Sequence, residues 1–316
     1  MRVPDLKFFD ILIKYDRKRS VDLTRKTEEL SSGKALLYPS DSPVDYARVI
    51  RLKNIVSGFE RFNRNIDLTQ NILETAESVL GTVVNTAQTV RVKIVQLLNT
   101  GVLNEEDAKV MVDYLESIKD YIIQQGNTKI GDSYLFGGVK TQEAPFSSDG
   151  SYNGETTETT VPVANGVTVN TNFNGKNYFG VNSASGSGKI LIVEVLDTII
   201  TLIKNGEYSQ LNTYEIDVDL DGSGTPTKMK LLDAFDAGLS KIMEYRSIIG
   251  TKIATVENLR IQNESLRVHY SNLISKIEDT DYAAAISEYE KAKTAYEALI
   301  AAIQQTKDLS LLKFYR

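Results

Sequence analysis

The 316-residue sequence has no cysteine, no tryptophan, one histidine and six prolines. Without cysteine, disulfides, thiolate metal sites and cysteine nucleophiles are all excluded. Such a chain must be held by packing or by assembly. The lone histidine, His269, sits beside Tyr270 in a charged stretch and reads as solvated helix surface. It cannot by itself support a zinc site or a Ser-His-Asp triad. A basic surplus is also missing: the formal net charge is -6. With nothing to neutralise phosphates, nucleic-acid binding is not expected. The most apolar window, Ile190 to Ile203, is interrupted by Glu194 and Asp197 and is too short to cross a bilayer. The first twenty residues lack both a signal-length apolar run and a small-residue cleavage site. The expectation is a soluble protein, either cytoplasmic or exported without a cleaved signal. Carboxylates are plentiful, but no pair stands out as an acid/base couple. No catalytic residue, cofactor or metal ligand is predicted, and the reading is of a protein that is not an enzyme.

Proline and glycine divide the chain. Only Pro4, Pro39 and Pro43 fall in the first 130 residues, and none falls in 228–316, whereas 137–188 is dense in Gly, Ser, Thr and Asn. The ends therefore read as helix and the middle as strands and turns. Ser42 stands where an N-cap belongs, with Pro43 at the first helical position and Asp45 in the first turn. The next strong stop is Thr100-Gly101, so at about 1.5 Å per residue this helix is roughly 85 Å long. Its stripe (Val49, Leu52, Val56, Phe59, Ile66, Leu73, Leu80, Val84, Ala87, Ile94, Leu98) has the 3-4 spacing of a bundle or coiled-coil seam. Asn104-Glu-Glu-Asp opens a second helix, and residues 191–205 read as another. Near the C-terminus, Val256, Leu259, Asn263, Leu266, Tyr270, Leu273 and Ile277 form one seam. Ala285, Tyr289, Ala292, Tyr296, Leu299 and Ile303 form the next. Neither end can bury its own stripe, so the simplest fold packs the N-terminal helices on the C-terminal ones.

In the middle, Ser133-Tyr-Leu-Phe-Gly-Gly, 159–163 and 167–171 give strand signals. Asp217-Val-Asp-Leu-Asp-Gly has the opening spacing of a calcium loop. Its twelfth position, however, is Lys228 and not a bidentate Glu. An acidic turn before a helix starting near Lys228 is the plainer reading. Gly186-Ser-Gly-Lys-Ile resembles the end of a phosphate loop but lacks both the upstream glycine and the hydroxyl after Lys189, so it reads as a surface loop. Tyr152, Phe173, Tyr178 and Phe179 could line an aromatic ligand pocket, or equally form a core.

The fold class expected is mainly α with a β-rich insert. A long antiparallel helical coiled coil or bundle is formed by the terminal segments, with a small antiparallel β domain in the middle. Three parts are expected: 1–42 with 278–316 as a terminal assembly segment, 43–136 with 189–277 as a helical rod, and 137–188 as the β-rich domain. Leu6, Phe9, Ile13, Leu23, Leu30, Leu299, Ile303, Leu309 and Leu312 are the candidate subunit-interface residues. They carry narrow stripes with little local core, and are expected to order fully only in an assembly.

Glu29-Leu-Ser-Ser-Gly-Lys, followed by Tyr38-Pro-Ser-Asp-Ser-Pro-Val, resembles the N-terminal block of the flagellin family. The Pro-Ser-Asp-x-Pro form is nearer to its hook-filament junction members than to filament subunits. Ser133-Tyr-Leu-Phe-Gly-Gly-Val-Lys and Ser275-Lys-Ile-Glu-Asp-Thr-Asp-Tyr-Ala are similar to further blocks of that family. The resemblance implies a structural flagellar subunit, exported unfolded, whose terminal helices pack between neighbours. Its implied partners are hook-associated protein 1, flagellin, further copies of itself in a ring, and an export chaperone. A filament subunit, or a binding module on a helical stalk, would also fit the helical pattern.

Overall fold

Proline placement sets the longest helix. In the computed structural model, which describes residues 3–100, 104–184 and 188–314, this helix (α2) runs unbroken from Pro43 to Thr100. The Ser42 carbonyl accepts the N–H of Tyr46 at 2.9 Å, and the Ser42 hydroxyl donates to Asp45 at 2.8 Å. α1 (Val3–Ser32) precedes it and α3 (Glu105–Gly126) follows. The Asn104 side chain caps α3 by accepting the Asp107 N–H at 2.7 Å, with three acidic residues at the positive end of the helix dipole. The later helices are the single turn α4 (Gly175–Tyr178), then α5 (Leu191–Lys204), α6 (Leu231–Glu278) and α7 (Tyr282–Phe314). Three two-stranded antiparallel hairpins complete the described elements: β1 (Lys129–Ile130) with β2 (Ser133–Tyr134), β3 (Thr160–Ala164) with β4 (Val167–Asn170), and β5 (Glu215–Val218) with β6 (Thr227–Lys230). The mainly helical architecture with small antiparallel β elements is thus the one the residue pattern predicts.

The chain divides into two compact units, a terminal one (1–60 with 265–316) and a central one (61–264). The central unit holds one continuous hydrophobic core. The α2 residues Ile66, Leu73, Leu80, Ala87 and Ile94 are fully buried there, as are Leu115 and Ile122 of α3 and Phe235, Ile242 and Ile249 of α6. At about 1.5–3 kcal/mol for each buried aliphatic side chain, these stripes dominate the stability of the unit. α5 is buried on nearly every side, which accounts for its apolar sequence, and α3 packs along it. Bridges tie the helices at their rims: Arg91 binds Asp236 through two bonds of 2.5 and 2.6 Å, and Lys119 meets Asp197 at 2.9 Å.

The irregular segments share this core. Phe136, Phe146, Phe173, Tyr178 and Phe179 are buried, with ring centroids about 5–6 Å apart, and Tyr178 packs in a tilted arrangement at 4.7 Å against Tyr245 of α6. Phe173, Tyr178 and Phe179 therefore form core and not the wall of a ligand pocket. Tyr152 is also engaged, its hydroxyl donating to the Glu155 carbonyl at 2.9 Å. Asparagines satisfy the backbone where no ladder exists. Asn127 both donates to the Phe146 carbonyl and accepts its N–H, at 2.8 and 2.9 Å. Asn65 of α2 and Asn263 of α6 donate to the carbonyls of Pro162 and Val163, seating the β3–β4 hairpin.

Local expectations fare unevenly in the central unit. Of the predicted 133–138 strand only Ser133–Tyr134 forms a hairpin strand; Leu135 and Phe136 enter the core, Gly137 makes an isolated bridge to Asn174, and Gly138 turns the chain at a φ of 62°. Lys228 does not begin a helix: it lies on β6 opposite Asp217 of β5, and the helix starts at Leu231. Asp219 spends both carboxylate oxygens on the N–H groups of Gly222, Ser223 and Gly224, closing a turn. The acidic-turn reading accounts for that geometry, and among the described residues no cluster of three or more His, Asp or Glu is placed to hold a metal ion. Gly186 and Ser187 of the glycine-rich loop lie outside the described residues; Lys189, beyond it, faces Asp149 at 3.6 Å.

Candidate assembly interface

Helix α1 must turn back into α2, and α6 into α7, and these two turns meet in the terminal unit. Gly33 leaves α1 with a φ of 71°, a conformation that favours glycine. There the backbone pairs with the α6–α7 connection: the Thr280 N–H donates to the Gly33 carbonyl at 2.9 Å, and the Ala35 N–H to the Glu278 carbonyl at 2.8 Å. A β-carbon at Gly33 would stand 2.6 Å from the Tyr282 hydroxyl. Asp41 accepts the N–H groups of Leu37 and Tyr38, and its other oxygen binds Arg25. Asp281 caps α7 through the Ala283 and Ala284 N–H groups. The blocks around 29–34, 38–44 and 275–283, far apart in sequence, are thus one structural joint.

Ion pairs lock it. Glu278, buried to 7% exposure, receives Lys34 and Lys53, each at 2.8 Å. Glu29 accepts the Thr280 hydroxyl at 2.6 Å and Lys26 at 2.9 Å, and Lys26 also binds Glu288 of α7. Burial pushes the Glu278 carboxyl up, but hydrogen bonds from Lys34 and Lys53 outweigh it and hold the group below its ordinary value. Glu29 behaves likewise: burial raises it, the bonds from Thr280 and Lys26 lower it, and the result is lowered. The hydrogen bond to Glu278 raises Lys34.

A carboxylate held low contributes stability that is complete above its unfolded pKa, about 4.3 for Glu, and is lost as pH falls through the folded value. The raised Lys34 works at the other end, its contribution lost as pH rises through its folded value. The joint is therefore expected to be firm from about pH 5 to 9 and to open in acid. Protection of the Ala35 and Thr280 amides, taken against their intrinsic exchange rates at each pH, should fall below about pH 4, and Glu278→Gln should show that lower protection already at neutral pH. Unchanged exchange in the variant would mean the ion pairs are ornamental.

Beyond the joint, α1 and α7 run antiparallel, since the contacts climb from Thr280 to Glu288 on α7 as they descend from Glu29 to Lys26 on α1. The predicted α7 seam faces inward: Ala285 is buried, and Tyr289, Ala292, Tyr296, Leu299 and Ile303 are half-buried. Leu23 and Leu30 are half-buried on α1. Ile13 is not on that seam; it is 58% exposed, and its neighbour Leu12 is half-buried instead. The side chains of Leu6, Phe9, Leu309 and Leu312 lie outside the described residues, although their backbones belong to α1 and α7. Among the described residues of the terminal unit, only Leu36, Val49, Leu52 and Ala285 are buried apolar side chains. Ile11, Ile13, Tyr15, Val21 and Ile286 stay half or more exposed. The central residues of the joint, Glu278, Lys34 and Lys53, are not predicted by the periodicity, because an ion pair carries no sequence period.

Two long helices with exposed apolar positions, joined at a polar knot, suit a chain that packs against other chains. The family described as bacterial flagellin N-terminal helical region matches residues 14–141. Residues 14–141 therefore carry a flagellin-type helical region, and the likeness of the chain is to components of the bacterial flagellum. Its particular likeness is to flagellar hook-associated protein 3: it is 25% identical over 299 residues to that protein from Escherichia coli K12, spanning 90% of both chains. Flagellin from Listeria monocytogenes is 23% identical over 296 residues, covering 92% of this chain and 90% of that one. The solved flagellar hook-associated protein 3 from Legionella pneumophila shares the fold at a TM-score of 0.58 with 16% identity, over 72% of this chain and 98% of that one.

Proposed function

We propose that this chain is the structural subunit of the hook-filament junction, a closed ring with hook-associated protein 1 on one side and flagellin on the other. The observation that carries it is the terminal unit, which among its described residues buries only four apolar side chains, one of them (Ala285) on α7 and none on α1, and leaves several more on these two helices exposed. Such a surface is completed by neighbouring copies and by those two partners. The nine residues Leu6, Phe9, Ile13, Leu23, Leu30, Leu299, Ile303, Leu309 and Leu312 are assigned to this interface. Export proceeds without a cleaved signal and with a chaperone covering the terminal stripes until assembly. The role is mechanical and not catalytic.

Immunogold labelling of intact flagella with antibody against residues 137–188 tests this. Gold confined to the boundary of hook and filament is the expected result. Gold along the whole filament would make the chain a filament subunit, and its absence from every flagellum would overturn the flagellar reading.

A further inference from the structure

In the central unit the β3–β4 hairpin meets α6 through a lysine, an asparagine and a glutamate. Lys252 is half-buried on α6, two turns beyond Tyr245 on the same helix face. Its Nζ donates to Oδ1 of Asn170, the last residue of β4, at 3.1 Å. With a carbonyl bond of about 1.2 Å, the amine stands no more than about 4.3 Å from the amide carbon, so a shift of about 1 Å at most brings it to the 3–3.5 Å of a near-attack arrangement. The Asn170 amide nitrogen donates to Oε2 of Glu158 in a short hydrogen bond, while Oε1 of Glu158 accepts the Asn174 N–H at 2.8 Å. The acid is thereby fixed on the atom that would leave. Buried aromatics lie close by: Phe173 and Tyr178 are next to this hairpin, and Tyr178 packs on Tyr245. Burial pushes the Lys252 amine below its ordinary value, opposed by the charge of Glu158. A neutral amine is a nucleophile and an ammonium is not.

We propose that Lys252 and Asn170 join in an intramolecular amide cross-link, with Glu158 as the proton carrier. The neutral Nζ attacks Cγ of Asn170. The Nζ–Cγ bond forms, the Cγ–Nδ2 bond breaks, and Nδ2 departs as ammonia. One Nζ proton is taken up by Glu158, and Glu158 delivers a proton to Nδ2 as it leaves. No electrons are transferred and no co-reactant is consumed. The reaction needs all three groups in place, so it follows folding of the central unit and cannot occur in an unfolded chain. In a cysteine-free protein the product does what a disulfide would do, fastening the hairpin to α6 across 82 positions of sequence.

The purified full-length chain, held folded at neutral pH and then denatured, should have an intact mass lower than its sequence by one ammonia. Its tryptic digest should contain a branched peptide joining the segments that carry Asn170 and Lys252. Lys252→Arg keeps a hydrogen-bond donor toward Asn170 but removes the nucleophilic amine, and should restore the full mass. Glu158→Gln should slow formation at least tenfold without unfolding the protein, checked by circular dichroism. A wild-type chain of full mass, with both residues in linear peptides, overturns the proposal. So does a deficit that persists in Lys252→Arg, since an asparagine-glycine succinimide also loses ammonia.

Discussion

A chain carrying both Leu23→Asp and Ile303→Asp should fold its central unit normally and fail to assemble, leaving cells that depend on it without motility. Both side chains are half-buried on the antiparallel α1–α7 pair. A carboxylate placed there keeps its water only by prising the helices apart, and burying it unpaired costs several kcal/mol. At about 1.4 kcal/mol per factor of ten, two such changes lower assembly affinity by well over 100-fold. The terminal unit has little to compensate with, since among its described residues only four apolar side chains are buried. Residues 61–264 are untouched, so the main thermal transition should not move. Motility in soft agar and electron microscopy of released filaments read the first effect, and calorimetry reads the second. Wild-type motility in the double variant would place the assembly surface elsewhere.

Phe136→Ala should be the most destabilising single change in the central unit. The ring is fully buried and touches three others, with centroids at 4.9 Å to Phe179, 6.1 Å to Phe173 and 6.3 Å to Tyr178. Truncation removes those contacts and leaves a cavity walled by rings that irregular backbone holds in place, at a cost of about 3–5 kcal/mol. For a unit of this size that corresponds to a fall in melting temperature of roughly 10 °C. The α2–α6 helical core should survive, so the helical circular dichroism at 20 °C should change little while the near-ultraviolet aromatic signal drops. A shift below about 3 °C would show that the aromatic cluster repacks around the gap.

The ends of α2 are legible because backbone chemistry writes them: a proline that suits only a first turn, and a Thr-Gly stop. The α7 seam is equally plain, since alanine, tyrosine, leucine and isoleucine recur at a spacing of three and four with polar residues between them. Ile11-Leu12-Ile13 is ambiguous for the opposite reason. Three adjacent apolar residues have no phase, and the structure turns Leu12 inward and Ile13 out. The β5–β6 hairpin hides behind its aspartates, which read as a metal loop or a helix approach while Asp217 and Lys228 in fact face each other across two strands. The polar joint is least legible of all. Its resemblance blocks mark that something is there, but Lys34 and Glu278 are 244 positions apart and no periodicity pairs them.

The pairing of α1 with α7 also fixes an order of events. Helix α1 has α7 as its helical partner, so whenever the polypeptide is delivered from its N-terminus, α1 emerges before the helix it packs on. The central unit is complete once residue 264 is free, and its contacts are mostly closer in sequence. The terminal unit must wait for the final thirty or so residues. The α1–α7 pair can therefore close only after the central unit has all of its residues. A truncated chain lacking α7 would carry the central unit but not the α1–α7 pair.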